Sequence, residues 1–173
     1  IIKKFKNSKH IELSVFAGNS DLGTNAIHYL DLFSWLIQDN KIKLDGKFLV
    51  NQIFENKRGK NFKRFLGIVT GFNKNSCVSL TFFPAKKESF IIQISGNGNS
   101  AYIDELEESG YFMSNKRKEK LNVKFGHTSE LTTKIIQDIF SKDDCLLPSL
   151  KDLTYAHKEL FRIFNRHIKK TLN

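Results

Sequence analysis

The stretch Asp21 to Leu36 reads DLGTNAIHYLDLFSWL and predicts an amphipathic helix. At about 100° per residue its apolar side chains fill one broad arc of the helix. They are Ala26, Ile27, Tyr29, Leu30, Phe33, Leu36 and, just beyond the stretch, Ile37. Thr24, His28 and Asp31 lie on the opposite side, with Trp35 one turn further along. A helix with so broad an apolar arc is expected to be mostly buried.

His28 and Asp31 are the candidate functional residues of this helix. Burying an imidazole and a carboxylate without partners costs several kcal/mol, roughly. Both groups are therefore expected either to be hydrogen-bonded within the fold or to line a pocket. A lone histidine with an aspartate three residues later is more often a structural pair than a catalytic one, because structural networks also hold such groups.

Two runs of sequence resemble the C-terminal domain of the Gfo/Idh/MocA family of NAD(P)-dependent oxidoreductases. The first, GNSDLGTNAIHYLDLFSWL from Gly18 to Leu36, is similar to the start of that domain. There a strand runs through a glycine turn into a helix of the pattern D-x-G-x-H-x-x-D, followed by aliphatic residues and an aromatic residue. The second, Ser129 to Phe164, resembles the family's closing segment. In that segment a helix and a leucine–proline turn precede a last helix with an internal histidine, which is His157 here.

One position departs from the family pattern. Family members with a complete dyad have an aspartate four residues before the histidine, where this sequence has Thr24. Asn25 and His28 instead resemble a branch whose helix begins with an asparagine-alanine-x-histidine run. The resemblance therefore implies that His28 transfers a proton or contacts a substrate hydroxyl, with Asp31 supporting it. Asn25 and Thr24 are candidate substrate contacts, and His127, just before a predicted helix, is a further one.

The resemblance also implies the reaction, a hydride transfer between NAD or NADP and a carbon that bears a hydroxyl, usually on a sugar or cyclitol. The dinucleotide would be bound mainly by a preceding Rossmann domain that supplies a catalytic lysine. No G-x-G-x-x-G motif follows a strand in this chain, which starts at Ile1 rather than Met. Residues 1–173 are thus expected to form a single domain, the substrate-binding and oligomerisation half of a longer oxidoreductase, inactive alone.

The rest of the sequence predicts an α+β fold with an open, mainly antiparallel sheet. Residues 10–17 alternate in polarity and predict a strand. Further strands are expected at 48–55 after a turn at Asp45-Gly46, at 62–72 as one long strand, at 77–83, at 90–95, and at 101–104 and 111–113. No helix separates these strands, so neighbours are expected to be antiparallel.

Two helices are predicted to close the chain and to pack on one face of the sheet. The helix at 128–140 is expected to point Leu131, Ile135 and Ile139 inward. The last helix, which Pro148 opens, has an apolar stripe of Leu150, Leu153, Leu160, Phe161, Phe164 and Ile168. His157 lies within that stripe and is interpreted as a core histidine with one hydrogen bond.

Aromatic residues in the strands predict that the second face of the sheet meets a partner. Phe48, Phe54, Phe65, Phe82 and Phe83 supply more apolar surface than one helical layer needs. The simplest partner is another copy of the chain. The resemblance implies the same homo-oligomer, because these domains commonly associate through their sheets.

The net charge of +10 leaves a second interpretation open. Basic residues concentrate at 3–9, 57–64 and 116–120, and Phe62 and Phe65 interleave with the second cluster, as in sites where bases stack. No nucleic-acid-binding motif accompanies them, so a solvated basic surface is favoured, or an anionic substrate such as a nucleotide-linked sugar. A binding or oligomerisation module that has lost the chemistry is the other alternative.

Cys77 and Cys145 have no partners at metal-ligand spacing and indicate neither a metal site nor a disulfide framework. They suit a reducing compartment. The sequence shows no signal peptide and no apolar run of membrane-spanning length. The expected location is the cytoplasm.

Overall fold

The computed structural model describes residues 4–5, 8–56, 59–114, 117–124, 128–142 and 147–172. Within these ranges the chain forms the helices α1 (Leu22–Ile37), α2 (Thr128–Lys142) and α3 (Leu150–Leu172). The strands in the same ranges are β1 (Glu12–Gly18), β2 (Lys43–Leu49), β3 (Phe54–Asn56), β4 (Gly59–Arg64), β5 (Gly67–Asn73), β6 (Ser76–Phe83), β7 (Ser89–Gly96), β8 (Asn99–Asp104), β9 (Ser109–Ser114) and β10 (Arg117–Asn122). None of the helices in these ranges combines the length and the apolar character needed to cross a membrane.

Eight of these strands form one open sheet in the order β10-β9-β8-β7-β1-β6-β5-β2, while β3 pairs with β4. β1 runs parallel to β6, and the other pairs in the large sheet are antiparallel. α1 packs over β6, and α3 packs on β2 and α1. The predicted architecture, an α+β fold with an open, mainly antiparallel sheet and helices packed on one face, is confirmed.

α1 begins and ends where its local chemistry dictates. Asp21 is the N-cap, and its side chain accepts a hydrogen bond from the Gly23 N–H. Gln38 adopts a left-handed conformation at φ 55°, and its N–H donates to the Ser34 carbonyl. The helix buries the arc that its sequence predicts, with Ala26, Leu30 and Phe33 fully covered.

The core lies between this helical layer and one face of the sheet. Alternation along β1 turns Leu13, Val15 and Ala17 toward the helices. Phe5 is buried on the same face near β9. Its ring packs edge-on against that of Phe112, with 6.2 Å between the ring centroids.

The predicted long strand at 62–72 is wrong, because two strands occupy it. β4 ends at Arg64 and β5 begins at Gly67, whose φ of +111° breaks the extended run. The N–H of Phe65 donates to Asp21 and the carbonyl of Leu66 accepts from Val50, so neither group pairs with a strand neighbour. The predicted turn at 45–46 is also wrong, since both residues lie in β2 at a shift of register.

The inward faces predicted for the last two helices are partly wrong. In α2, Leu131 and Ile139 are exposed and Ile135 is half-buried. In α3, Leu150 and Phe161 are exposed. The covered residues of α3 are Ala156, Leu160, Ile163 and Phe164.

The aromatic residues assigned to the second face of the sheet divide between its two faces. Phe65 and Phe82 belong to the core on the helical side, whereas Phe48 and Phe83 are exposed. Of the third basic cluster, Arg117, Lys118 and Lys120 lie on the edge strand β10. Lysine-rich edge strands resist pairing with other chains, which suits this position.

Candidate active site

The N-terminus of α1 is held against the β4–β5 connection by Asp21. This carboxylate is 6% exposed, and its Oδ1 accepts hydrogen bonds from the N–H of Gly23 at 2.9 Å and of Phe65 at 2.8 Å. The N–H of Leu22 donates to the Phe65 carbonyl at 3.1 Å. The Arg64 guanidinium donates to the Ser20 carbonyl at 3.0 Å and 3.3 Å. These bonds fix the direction in which α1 presents its polar side.

Thr24 and Asn25 make local hydrogen bonds at this end of the helix. The Thr24 hydroxyl donates to the Asp21 carbonyl at 3.3 Å. The Asn25 amide donates to the Ser20 hydroxyl at 2.9 Å and to the Asp21 carbonyl at 3.1 Å. Asn25 also lines a cleft beside α1, whereas Thr24 lines neither of the two clefts described next. The structure therefore brings Asn25, but not Thr24, to a cleft that His28 shares.

His28 is exposed and lies where two clefts meet. The larger cleft, about 820 Å³, runs between α1 and the start of α3, and its walls include Asp31, Trp35 and Asp152. The smaller cleft, about 450 Å³, lies on the side of β7 and β8. Its lining consists of Asn25, His28, Tyr29, Phe90, Glu105 and Leu106. The sequence predicts that His28 is either hydrogen-bonded within the fold or lines a pocket, and in the structure it lines a pocket.

Asp31 lies in the larger cleft and interacts with His28 through its charge. Burial raises the pKa of Asp31 above its ordinary value, the positive charge of His28 opposes this, and Asp152 adds to it. Across the ranges that the structure describes, no hydrogen bond joins the Asp31 carboxyl to the imidazole. Asp31 and His28 lie three residues apart on α1, so their interaction is electrostatic and runs along one wall of the larger cleft.

Glu105 is a site residue that the sequence reasoning missed. It lies in the turn between β8 and β9, and the Tyr29 hydroxyl donates to its Oε2 at 3.4 Å. Burial raises the pKa of Glu105, the negative charge of Asp104 raises it further, and the hydrogen bond from Tyr29 works against both. The acidic run at 104–108 was the available signal, but its spacing does not reveal that one of its carboxyls faces α1.

Two of the predicted histidines have other positions. His127 lies outside the described residues, so its proposed substrate contact stays a prediction. His157 is half-buried on α3, and its ring lies 6.1 Å from that of Phe161 between centroids. It therefore occupies the edge of the core and lines neither cleft.

Among the residues that the structure describes, no glycine-rich loop leads from a strand into a helix, as a dinucleotide site of the Rossmann type requires. The Gly96 and Gly98 pair, the nearest approach to a glycine-rich loop, forms the tight turn between β7 and β8, with Asn97 and Gly98 at φ of 51° and 71°. A strand and not a helix follows it, so no helix N-terminus is available for a pyrophosphate. Groups of three or more potential metal ligands are also absent among the residues described.

No protein-family model matches the sequence, and no curated protein matches it significantly. Solved structures do match the fold. A dehydrogenase (MviM) from Clostridium difficile superposes with a TM-score of 0.68 at 13% identity, over 95% of this chain and 58% of that one. UDP-N-acetylglucosamine 3-dehydrogenase GnnA from Acidithiobacillus ferrooxidans gives 0.61 at 11% identity, over 93% and 54%. A Gfo/Idh/MocA family oxidoreductase from Vibrio cholerae gives 0.56 at 9% identity, over 98% and 56%.

These matches concern the fold alone, since every identity is below 25%. The chain spans little more than half the length of the structures it matches. It has the fold of the C-terminal domain of Gfo/Idh/MocA-type oxidoreductases, as the two sequence runs predict.

Proposed function

We propose that this chain is the substrate-binding and oligomerisation half of an NAD(P)-dependent oxidoreductase that acts on a hydroxyl of a sugar, nucleotide-sugar or cyclitol. The observation that carries the proposal is the exposed imidazole of His28 at the junction of two clefts. It occurs in a fold shared with proteins that are dehydrogenases by name.

The role assigned to His28 is transfer of the proton of the substrate hydroxyl. Oxidation of an alcohol removes a hydride from carbon and a proton from oxygen, and a bound nicotinamide supplies the hydride chemistry. An imidazole can take up and release a proton near neutral pH, so a nitrogen of His28 can accept the hydroxyl proton and return it in the reverse direction. Asp31 stabilises the imidazolium by its charge, and Asn25 contacts the substrate from the next turn of α1.

The dinucleotide and a catalytic lysine are assigned to a preceding Rossmann domain, because the sequence contains no G-x-G-x-x-G motif after a strand. The expectation for residues 1–173 on their own is substrate binding without turnover. A reducing compartment, the cytoplasm, suits the free thiol of Cys77.

Oligomerisation is assigned to the face of the sheet that the helices leave bare, called the open face here. Its exposed apolar residues come from strands across the whole sheet. They are Phe16, Phe48, Phe72, Phe83, Tyr111 and Met113. Eight strands at about 4.8 Å spacing make a face about 34 Å wide, and strands of roughly seven residues make it about 23 Å long. The resulting area, about 780 Å², is comparable to the roughly 800 Å² that each partner buries in a standard interface.

The test of the chemistry is NAD(P)-linked turnover by the natural protein that carries this sequence, with UDP-N-acetylglucosamine and myo-inositol as probe substrates. His28→Ala is expected to lower kcat about 100- to 10,000-fold, the range for loss of a general acid–base. His10→Ala is the matched control, because this exposed histidine bonds to Glu12 at the start of the sheet and lines neither cleft. Equal activity of the two variants would refute the role of His28.

A binding module without chemistry is the second candidate, and Thr24 favours it. The position where a complete dyad has an aspartate carries a hydroxyl that donates to the Asp21 carbonyl at 3.3 Å. Such a module would retain ligand binding and oligomerisation. Its signature is a natural protein whose NAD(P)-linked activity is unchanged by His28→Ala.

A further inference from the structure

The smaller cleft brings together groups from distant parts of the sequence. Asn25, His28 and Tyr29 reach it from α1, Phe90 from β7, and Glu105 from the β8–β9 turn. Its volume of about 450 Å³ lies within the range of pockets that bind small molecules. The lining combines apolar surface from Phe90 and Leu106 with a few convergent polar groups, which is the usual composition of a ligand site.

The backbone around Glu105 is held in place by hydrogen bonds. Its N–H donates to the Phe90 carbonyl at 2.9 Å, which ties the turn to β7. The neighbouring Asp104 carboxylate accepts from the N–H groups of Leu106 and Glu107, both at 3.1 Å. The protein's own hydrogen bonds therefore hold the backbone of the turn, which fixes the position of the Glu105 Cα beside the cleft.

Tyr29 positions the carboxyl group of Glu105. Its phenol ring is buried and packs at a tilt against Phe82, with 6.5 Å between ring centroids. Its hydroxyl donates to Oε2 of Glu105 at 3.4 Å. Among the residues described, no other side chain donates to this carboxyl, so Oε1 is left for a ligand. A half-buried carboxylate with one weak donor has an unused capacity to accept hydrogen bonds.

We propose that Glu105 contacts the substrate: its carboxylate accepts a hydrogen bond from a hydroxyl of a polyol that lies between Glu105 and His28 in the smaller cleft. Tyr29 is the positioning residue for this contact. The inference rests on the proposed function for the reacting hydroxyl, and it adds a second hydroxyl contact, from a strand turn and not from α1. A ring with several hydroxyls fits, because it can meet an imidazole on one wall and a carboxylate on the other.

The experiment is a titration of the isotope-labelled 173-residue chain with myo-inositol and with UDP-N-acetylglucosamine, followed by NMR. Amide signals of residues 104–107 and of His28 are expected to shift together on addition of at least one of these probes. Glu105→Gln keeps an acceptor for the Tyr29 hydroxyl and the shape of the side chain, so it retains the fold. It is expected to raise the dissociation constant of the bound probe about 10- to 100-fold, the range for loss of a hydrogen bond to a charged group.

Glu107→Gln is the matched control, because this exposed glutamate belongs to the same turn and does not line the cleft. Its affinity should equal that of the native chain. Unchanged affinity in Glu105→Gln, or the absence of coupled shifts with both probes, overturns the proposal.

Turnover by the natural protein separates this inference from the proposed function. If His28→Ala abolishes turnover while Glu105→Gln keeps the native KM, the proposed function stands and the role of Glu105 is refuted. A raised KM with a smaller change in kcat supports it, because a purely structural residue would instead lower the temperature of unfolding.

Discussion

The carboxylates of Asp21 and Glu105 are both shielded from solvent, and they differ in the hydrogen bonds that they accept. Asp21 accepts two backbone N–H groups, both within 2.9 Å, and one of them caps α1. These bonds compensate the carboxylate for its lost contact with water. The Glu105 carboxylate accepts a hydrogen bond from the Tyr29 hydroxyl at 3.4 Å. Asp21 therefore stabilises the fold, whereas ionisation of the half-buried Glu105 carboxyl comes at some cost to the fold.

That cost predicts a pH dependence of stability. Burial raises the pKa of Glu105 above its ordinary value of 4.5, so over the interval between the two values the folded chain binds more protons than the unfolded chain. The contribution of Glu105 to the free energy of unfolding therefore falls as pH rises through this interval. Glu105→Gln removes the effect and should be more stable than the native chain at pH 7, with the difference vanishing below pH 4.5.

Urea unfolding of both proteins from pH 4 to pH 7 measures this difference. Glu107→Gln serves as the comparison, because this exposed side chain belongs to the same turn and does not line the cleft. A difference for Glu105→Gln that is constant, or that grows toward acidic pH, contradicts the prediction.

At the scale of elements, β5 and β2 approach closely at a glycine. A Cβ on Gly67 would lie 2.5 Å from the Phe48 carbonyl oxygen and 2.7 Å from the Val50 nitrogen, both backbone atoms that cannot turn away. The residue also has a φ of +111°. This close approach is what ends the long strand expected at 62–72.

Gly67→Ala is expected to destabilise the chain by about 3–5 kcal/mol, the sum of backbone strain and overpacking between strands. Gly59→Ala is the matched variant, because Gly59 has a similar φ of +122° and open space where its Cβ would be. Gly59→Ala should lower the free energy of unfolding by the backbone strain alone, about 1–3 kcal/mol. Urea midpoints of the two variants decide the matter, and equal losses would show that the contact with β2 contributes nothing.

α3 shows why the helix faces were less predictable than the helices themselves. Phe161 and Phe164 both fit the apolar stripe in the sequence, yet Phe161 is 61% exposed. Phe164 instead stacks on Phe65 with ring planes 7° apart and centroids separated by 4.3 Å. The period of a helix shows which residues share a face, but the partner decides which part of a broad face is covered.

At the scale of the whole molecule, the two faces of the sheet differ in how far the helices cover them. One face is covered by α1 and α3, and the other exposes aromatic side chains, among them Phe16 at 44% and Phe72 at 55%. Exposed apolar surface of this extent is typical of an interface between proteins. This is the surface on which the proposed oligomer depends.

Phe16→Glu tests the open face, because β1 lies near the middle of the sheet. The native chain is expected to elute as a dimer in size-exclusion chromatography with light scattering, and the variant as a monomer, since a charge would be buried without a partner. Trp35→Glu, at a similarly exposed aromatic residue on the helical side, should remain a dimer. A native monomer, or a dimer in both variants, contradicts the arrangement.

The sequence by itself determined the α+β class, the position of α1 and the side of α1 on which His28 and Asp31 lie. These features depend on local periodicity and on capping by Asp21, which neighbouring residues supply. Only the tertiary structure decided that His28 lies between two clefts, that Glu105 faces it from the β8–β9 turn, and that Phe161 stays outside the core. The physical reason is that these positions are set by contacts between residues about 45 to 120 places apart, such as Tyr29 with Glu105 and Arg162 with Leu44, which no local pattern records.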